Sequence, residues 1–363
     1  MDTEPVIDGT MITGLIQNLS EKLRANYIFP EVAEQICACL QKHLGEGDYA
    51  DISEAEFLAL ALTLHLQEVN HDEHLWVRWH PEPLPEDDGQ LRLNPEWQEE
   101  RRSEARLDNY GLHKVERLPG NVGYIDIRYF HRPEWGGETA AAAMNFLADT
   151  EALIVDLRRC KGGFPAMIAL ICSYLFGEEP IHLSSIYWRD EDTIQEFWTQ
   201  PQVPGRRFGE KPVYVLISRV TFSAGEEFSH ILQSRKRATL LGEKTDGGAH
   251  PGASYRLHPH FEVFIPIGRT IDPLSDMDWE GIGFTPDIAI PQEHAFKAAY
   301  HMAFKSILAR LGESPSGPLK ALAQEVQTTL KNLEADQKFC PKCGYQNLLH
   351  RIRCKNCDEP LPG

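Results

Sequence analysis

Three short runs, VGYIDI (122–127), ALIVDL (152–157) and VYVLIS (213–218), constrain the fold of this chain more than any other feature. Each is a near-continuous stretch of Val, Ile and Leu. That is the pattern of a strand buried on both faces, and such strands belong to parallel sheets. AAAAMNFLAD and FPAMIALICSYLF separate them, SAGEEFSHILQS follows the third, and all three segments carry helical spacing of apolar residues. From about residue 116, therefore, strand and helix alternate, which predicts an α/β core. ATLLG, FEVFIPI and DIAIP add strand candidates, and the core pattern ends near Leu311.

The flanks follow other periods. Ile12, Leu15, Ile16, Leu19 and Leu23 keep the i, i+3, i+4, i+7 rule, and IFPEVAEQICACLQKHL repeats it after a proline stop. SEAEFLALALTLHLQ makes a third helix, with Ser53 and Glu56 spaced as a capping box. LWVRW is a strand candidate, and a polar, Pro-rich stretch follows it to about Arg106. The expected layout is a helical domain over 1–85, an irregular segment over 86–115, the α/β core over 116–312, a solvated linker helix over 313–338 and a small module over 339–363.

That last module is the strongest local motif. KFCPKCGYQNLLHRIRCKNCDEP holds Cys340, Cys343, Cys354 and Cys357 as two C-x2-C pairs ten residues apart. Two such knuckles can place four thiolates tetrahedrally around Zn2+, and a closed four-cysteine shell makes the metal structural. Iron in a rubredoxin-like site is the competing occupant. The other cysteines, Cys37, Cys39, Cys160 and Cys172, sit among apolar residues and read as inert core thiols.

Composition excludes two partner classes. A net charge of -18 argues against a nucleic-acid-binding body, because phosphate contacts need clustered Lys and Arg. No apolar run approaches the roughly 20 residues of a membrane span. The opening MDTEPVIDGTM has neither the basic nor the apolar region of a secretion signal, so a cytoplasmic protein is expected.

Four loops carry candidate chemistry. In TFSAGEEF (221–228), Ser223 sits where an apolar strand passes into a helix, beside unsatisfied N–H groups that suit developing negative charge. The same Ser223 and Glu226 also spell a plain capping box. In DLRRCKGG (156–163), Gly162 and Gly163 allow a sharp turn and a close backbone approach to a ligand, or simply a tight βα turn. VNHDEHLWVRW brings His71 and His74, with His80 just beyond; any of them could take a serine's proton, lie on the surface or form a weak metal pair. In WEGIGFTPDI, Glu280 could orient a histidine or be a solvated turn acid.

Taken in order, D-x-H-L, DLRxxxGG, TFSAGE, GEKTDGGAHP and EGIGFTPDI resemble the tail-specific or C-terminal processing peptidases, across roughly residues 10–300. The resemblance is to the branch with the tricorn core peptidase and the repeats of interphotoreceptor retinoid-binding protein. It implies a crotonase-like (ClpP/crotonase-type) core and a polypeptide substrate, with Ser223 as nucleophile, His74 as base and Glu280 as the acid behind it. It further implies an oxyanion hole from the Ala224 amide and one of Gly162 and Gly163, with no catalytic cofactor. Members with a serine–lysine dyad carry the lysine in T-x-G-K-G. Here Thr245-Asp246-Gly247-Gly248-Ala249 puts Gly248 in its place, which promotes His74. The retinoid-binding relatives supply the alternative, a non-catalytic protein binding an apolar ligand or a protein partner. The ribbon, basic against an acidic body, is a candidate docking module.

Overall fold

The computed structural model describes residues 7–86, 90–275, 278–335, 337–339, 346–348, 353 and 359–360. Cys340, Cys343, Cys354 and Cys357 lie outside the described residues.

The N-terminal part is helical, as its periodicity predicts: α1 (Gly9–Asn26), α2 (Pro30–Glu46) and α3 (Ala55–Gln67). Asp8 caps α1 by accepting from the Thr10 and Met11 amides, and Pro30 starts α2. Glu54, not Ser53, stands at the N-cap of α3, and no side chain caps that helix, so the Ser53/Glu56 box does not form. Strand β1 (Trp76–Trp79) follows. The segment over 86–115, whose composition predicts irregular structure, contains a helix, α4 (Pro95–Leu107), started by Asn94, which accepts from the Glu96 and Trp97 amides. Its mostly charged sequence buries only Ala105, so it carries little of the apolar stripe that marks a helix in sequence.

The core runs β2 (Leu112–Leu118), β3 (Val122–Ile127), α5 (Pro133–Leu147), β4 (Ala152–Asp156), α6 (Pro165–Leu175), β5 (His182–Trp188), β6 (Thr193–Trp198), β7 (Val213–Ile217), α7 (Ala224–Ser234) and β8 (Thr239–Gly242). After it come β9 (Gly252–His258), β10 (Phe261–Pro266), β11 (Gly268–Ile271), β12 (Ile288–Ala289), α8 (Gln292–Leu311) and α9 (Pro318–Ala335). The main sheet has the order β12-β8-β7-β4-β3-β2, with β3, β4, β7, β8 and β12 parallel and β2 antiparallel at the edge. The three runs read first in the sequence are its central strands, buried along their whole length. Helices α5, α6 and α7 fill one face, while α8 covers the other through Ala299, Ala303, Phe304 and Ile307.

Two features of the packing join parts of the chain that are distant in sequence. The core of the helical part is completed by residues from far along the chain: Leu257, Phe261, Val263 and Ile265 of the β1-β10-β9 sheet pack with Leu19, Leu23, Ile36 and Leu62. The helical part therefore shares its core with residues 253–267. That sheet also sets the starts of β1 and β9, and hence the histidines just before them, beside the main sheet. The second feature is α9, read from sequence as solvated. It docks on the core instead, burying Val326 and Ala323, and its Glu325 carboxylate accepts from the Gly120 amide at 2.9 Å. Beyond it β13 (Gln337–Phe339) pairs antiparallel with β14 (Gln346–Leu348).

Candidate active site

In an open parallel sheet, ligands bind beyond the C-terminal ends of the strands, where the βα loops converge. Three such loops meet here. The loop after β4 carries Gly162 and Gly163, the loop after β7 carries Ser223, and the segment after β8 carries Gly248, Ala249 and His250.

Ser223 occupies the N-cap of α7 with φ 52° and ψ -121°, a strained backbone for a residue with a side chain. Several bonds hold it there. The Phe222 amide donates to the Cys160 carbonyl at 3.1 Å, the Ser223 amide donates to the Glu226 carboxylate at 2.9 Å, and the Glu226 and Glu227 amides return to the Ser223 carbonyl. Glu226 is buried, and that burial pushes its carboxyl up to about 7 although it also accepts from the Gly248 amide at 2.7 Å. The Glu226 half of the expected capping box thus serves to clamp the turn on both sides of Ser223. The serine side chain stays half-buried, open to a substrate.

The glycine turn lies directly against it. Gly162 has φ +112°, and a methyl placed on it would sit 2.8 Å from Ser223 Cβ and 3.3 Å from Oγ. Main chain alone fits there. The Ala224 amide, at the first position of α7, has no intrahelical acceptor. Gly162 and Ala224 therefore flank one serine as the two sides of an oxyanion hole would. Gly163 is held a step further back by pairing with Phe130. Gly162→Ala keeps the amide but drives a methyl against Ser223, so the displaced turn is expected to lower turnover on the order of 10²-fold, and strain at positive φ to cost about 1–3 kcal/mol of stability. Steady-state kinetics beside a thermal melt checks both; full activity in the folded variant would remove the turn from the site.

On the other side lies His74. It is buried, and its ring packs 4.6 Å (centroid to centroid) from Phe222, the residue before Ser223. Both ring nitrogens are buried without a hydrogen-bond partner, and Nδ1 lies 3.9 Å from Glu280 Oε2. Burial drives its pKa down to about 4, with His250 adding to the effect and Asp72 opposing it. Gly248 explains the absent lysine: a Cβ there would lie 2.5 Å from the Phe222 ring and 2.7 Å from His74 Cε1. The imidazole fills the space a side chain at 248 would need. Lys244 is exposed, His71 is exposed, and His80 is paired with Glu262 at 2.7 Å.

Glu280 is fixed by main chain: its Oε2 accepts from the Ala249 amide at 2.5 Å and the His250 amide at 3.1 Å. Behind it lies His250, which no local motif marks. The His250 ring is buried among three carboxylates, with Nδ1 3.3 Å from both Asp72 and Glu280 and Nε2 3.3 Å from Asp278. Burial opposes its charge, but the carboxylates prevail and raise its pKa to about 10. Asp72 is fully buried, accepts from the Tyr27 hydroxyl at 2.8 Å and the His74 amide at 3.0 Å, and stays ionised beside His250. Glu280, sharing that one cation with Asp72, is pushed up to about 8 by its burial and by the Asp72 charge. His250 was visible in GEKTDGGAHP, but its carboxylate partners come from residues 72, 278 and 280, so no local spacing could mark it.

The site defines a class: a serine on a strained strand-to-helix turn, flanked by a glycine turn and a buried imidazole backed by an acid, is a nucleophilic hydrolase arrangement. Comparison gives the family. The sequence model of peptidase family S41 matches residues 121–290, and that of the N-terminal domain of this family in eukaryotic IRBP matches residues 10–107. The chain belongs to peptidase family S41, a family of serine peptidases. It is 28% identical over 177 residues to the carboxyl-terminal-processing protease of Synechocystis, covering 48% of this chain and 39% of that protein. It is also 28% identical over 181 residues to the chloroplastic carboxyl-terminal-processing peptidase 1 of Arabidopsis thaliana, covering 49% of this chain and 35% of that one. The chain thus spans well under half the length of these curated relatives. In fold it is similar to a protein from Parabacteroides merdae solved as a candidate peptidase (TM-score 0.53, 19% identity, 80% of this chain and 96% of the other).

Proposed function

We propose that this chain hydrolyses peptide bonds, at or near protein C-termini, with Ser223 as nucleophile, His74 as general base and Glu280 as the acid that supports it. The observation that carries the reading is the buried His74 imidazole, unpartnered at both nitrogens, between Glu280 and the Phe222–Ser223 turn. An unpaired buried polar group is costly, and functional sites are where that cost is tolerated. In the reaction Ser223 Oγ attacks the carbonyl carbon and its proton passes to His74. The oxyanion then accepts from the Ala224 amide and the glycine turn. His74 returns the proton to the leaving amine, and water attacks the acyl-enzyme by the reverse sequence. The C-terminal preference rests on the carboxyl-terminal-processing relatives. A fluorophosphonate probe should label Ser223 stoichiometrically; a folded protein inert to the probe would favour the non-catalytic binding reading.

The tail is proposed to be a structural zinc ribbon held by Cys340, Cys343, Cys354 and Cys357, apart from catalysis, in a protein of the cytoplasm. Support comes from the two C-x2-C pairs, since four thiolates leave no position for a reactive water. Because α9 is docked, the separable unit begins after it. A chain ending at Ala335 should keep full activity on a generic substrate, whereas one ending at Leu311 should lose stability by stripping Val326 and Ala323 from the core. Loss of activity in the longer truncate would tie the tail to the chemistry.

A further inference from the structure

Cys39, read from sequence as an inert core thiol, is only half-buried, and its Sγ lies 3.7 Å from Glu68 Oε2. One turn further along α2, His43 places Nε2 2.9 Å from the same Glu68 oxygen. A thiol sulfur, an imidazole nitrogen and a carboxylate oxygen thus lie within 4.8 Å of one another at the C-terminal ends of α2 and α3. The i, i+4 spacing of Cys39 and His43 puts both on one helix face, and Glu68 stands at the C-cap of α3.

We infer that Cys39, His43 and Glu68 form a second zinc site, in the helical part of the chain. A plain ion-pair network would explain His43 between two carboxylates, but it would not require the thiol. The environment of the imidazole is that of a metal ligand. Its far nitrogen, Nδ1, faces Asp48 Oδ2 at 2.5 Å, the carboxylate–histidine arrangement that fixes the ring and raises its basicity when the other nitrogen binds metal. His65 stacks on the same ring at 3.7 Å with planes 4° apart, and it is itself held by Tyr49 Oη at 2.7 Å from Nδ1. The stacked geometry makes His65 a support for the His43 plane rather than a ligand. With S, N and O bonds of about 2.0–2.3 Å, ligand atoms of a tetrahedral zinc lie about 3.3–3.7 Å apart. The Sγ–Oε2 separation already has that value, and the Nε2–Oε2 pair need open only a few tenths of an ångström. A soft thiolate beside imidazole and carboxylate selects zinc over magnesium or calcium. Three protein ligands leave a fourth position, and the half-exposed Glu68 side chain gives the ion a way in while the His43 side chain stays 12% exposed.

The test uses the full-length chain with Cys340→Ser, Cys343→Ser, Cys354→Ser and Cys357→Ser, so that the tail cannot mask the result, and reads zinc alone by competition with a chromogenic chelator and cobalt by absorption. One zinc per chain is expected at micromolar concentration, with a thiolate-to-cobalt charge-transfer band. Cys39→Ala should remove the band and the zinc, and His43→Gln the zinc. Asp48→Asn, which leaves every ligand in place, should weaken binding about 10–100-fold. Far-UV circular dichroism on each variant verifies the fold, and Asp48→Asn serves as the readout if His43→Gln does not fold. No zinc in the tail-substituted chain, binding only at millimolar metal, or an equal zinc content after Cys39→Ala and Asp48→Asn would each overturn the assignment.

Discussion

Ser223→Ala is expected to reduce kcat on casein on the order of 10⁴–10⁶-fold and to abolish fluorophosphonate labelling, while the protein stays folded. The size of the effect follows from the site's economy of parts, since a peptidase without its nucleophile retains only what substrate binding and the oxyanion hole contribute. The fold should survive because the turn is clamped through the backbone. Glu226 binds the Ser223 amide, and the Ser223 carbonyl accepts from the Glu226 and Glu227 amides, so none of these bonds needs the hydroxyl. Loss of a helix cap costs about 1 kcal/mol, a shift of a few degrees in Tm for a chain of this size. Gly162 also has to keep its close approach, and alanine, no larger than serine, leaves that approach intact. A folded Ser223→Ala protein cleaving casein at the wild-type rate would end the assignment.

Much of this architecture is legible in sequence, for a physical reason. Strands β3, β4 and β7 are buried on both faces, so their runs of Val, Ile and Leu admit little else, and an apolar-rich helical segment follows each of them. Ser223, Gly162 and Gly163 lie at the ends of those same strands, where a strand-to-helix junction marks itself. The misses share a cause as well. Helix α4 is a charged surface helix that buries one alanine, and its periodicity is correspondingly faint. Helix α9 does carry an apolar stripe, Leu322, Val326, Leu330 and Leu333, but periodicity alone does not say what that stripe packs on; in the fold it docks against α8 and the turn at Gly120. His250 and Cys39 acquire their meaning from partners on other elements. His250 meets Asp72, and Cys39 meets Glu68, 29 residues away. Pairings of that kind are made by the fold and leave no local pattern.

His74→Ala should lower kcat/KM on the order of 10⁴-fold, Lys244→Ala should leave it near wild type, and Glu280→Gln should fall between them with an altered pH profile. The pH dependence separates the roles of the two site residues. His74 is held down to about 4 by burial, so it is neutral and able to accept a proton throughout the neutral range. Its titration therefore does not limit the rate near pH 7. The difficulty comes after proton transfer, when an imidazolium must exist in a buried site, and Glu280 is the carboxylate placed to support it at 3.9 Å. A raised carboxyl pKa means that the charged form is lost as pH falls. With Glu280 pushed up to about 8 by burial and Asp72, kcat/KM should climb with pH through that region. Among the described residues, the titratable groups that face Glu280 are His74, His250, Asp72, Asp278 and Tyr27. Of these His250 is the cation, raised to about 10, and it favours the ionised carboxylate. His250→Gln should consequently move the limb to higher pH, while Glu280→Gln, having nothing to titrate, should give a lower rate that is flat across the same range. A limb that persists unchanged in Glu280→Gln would assign it to another group, and a His74→Ala enzyme of near-normal rate would return the search for the base to the lysines.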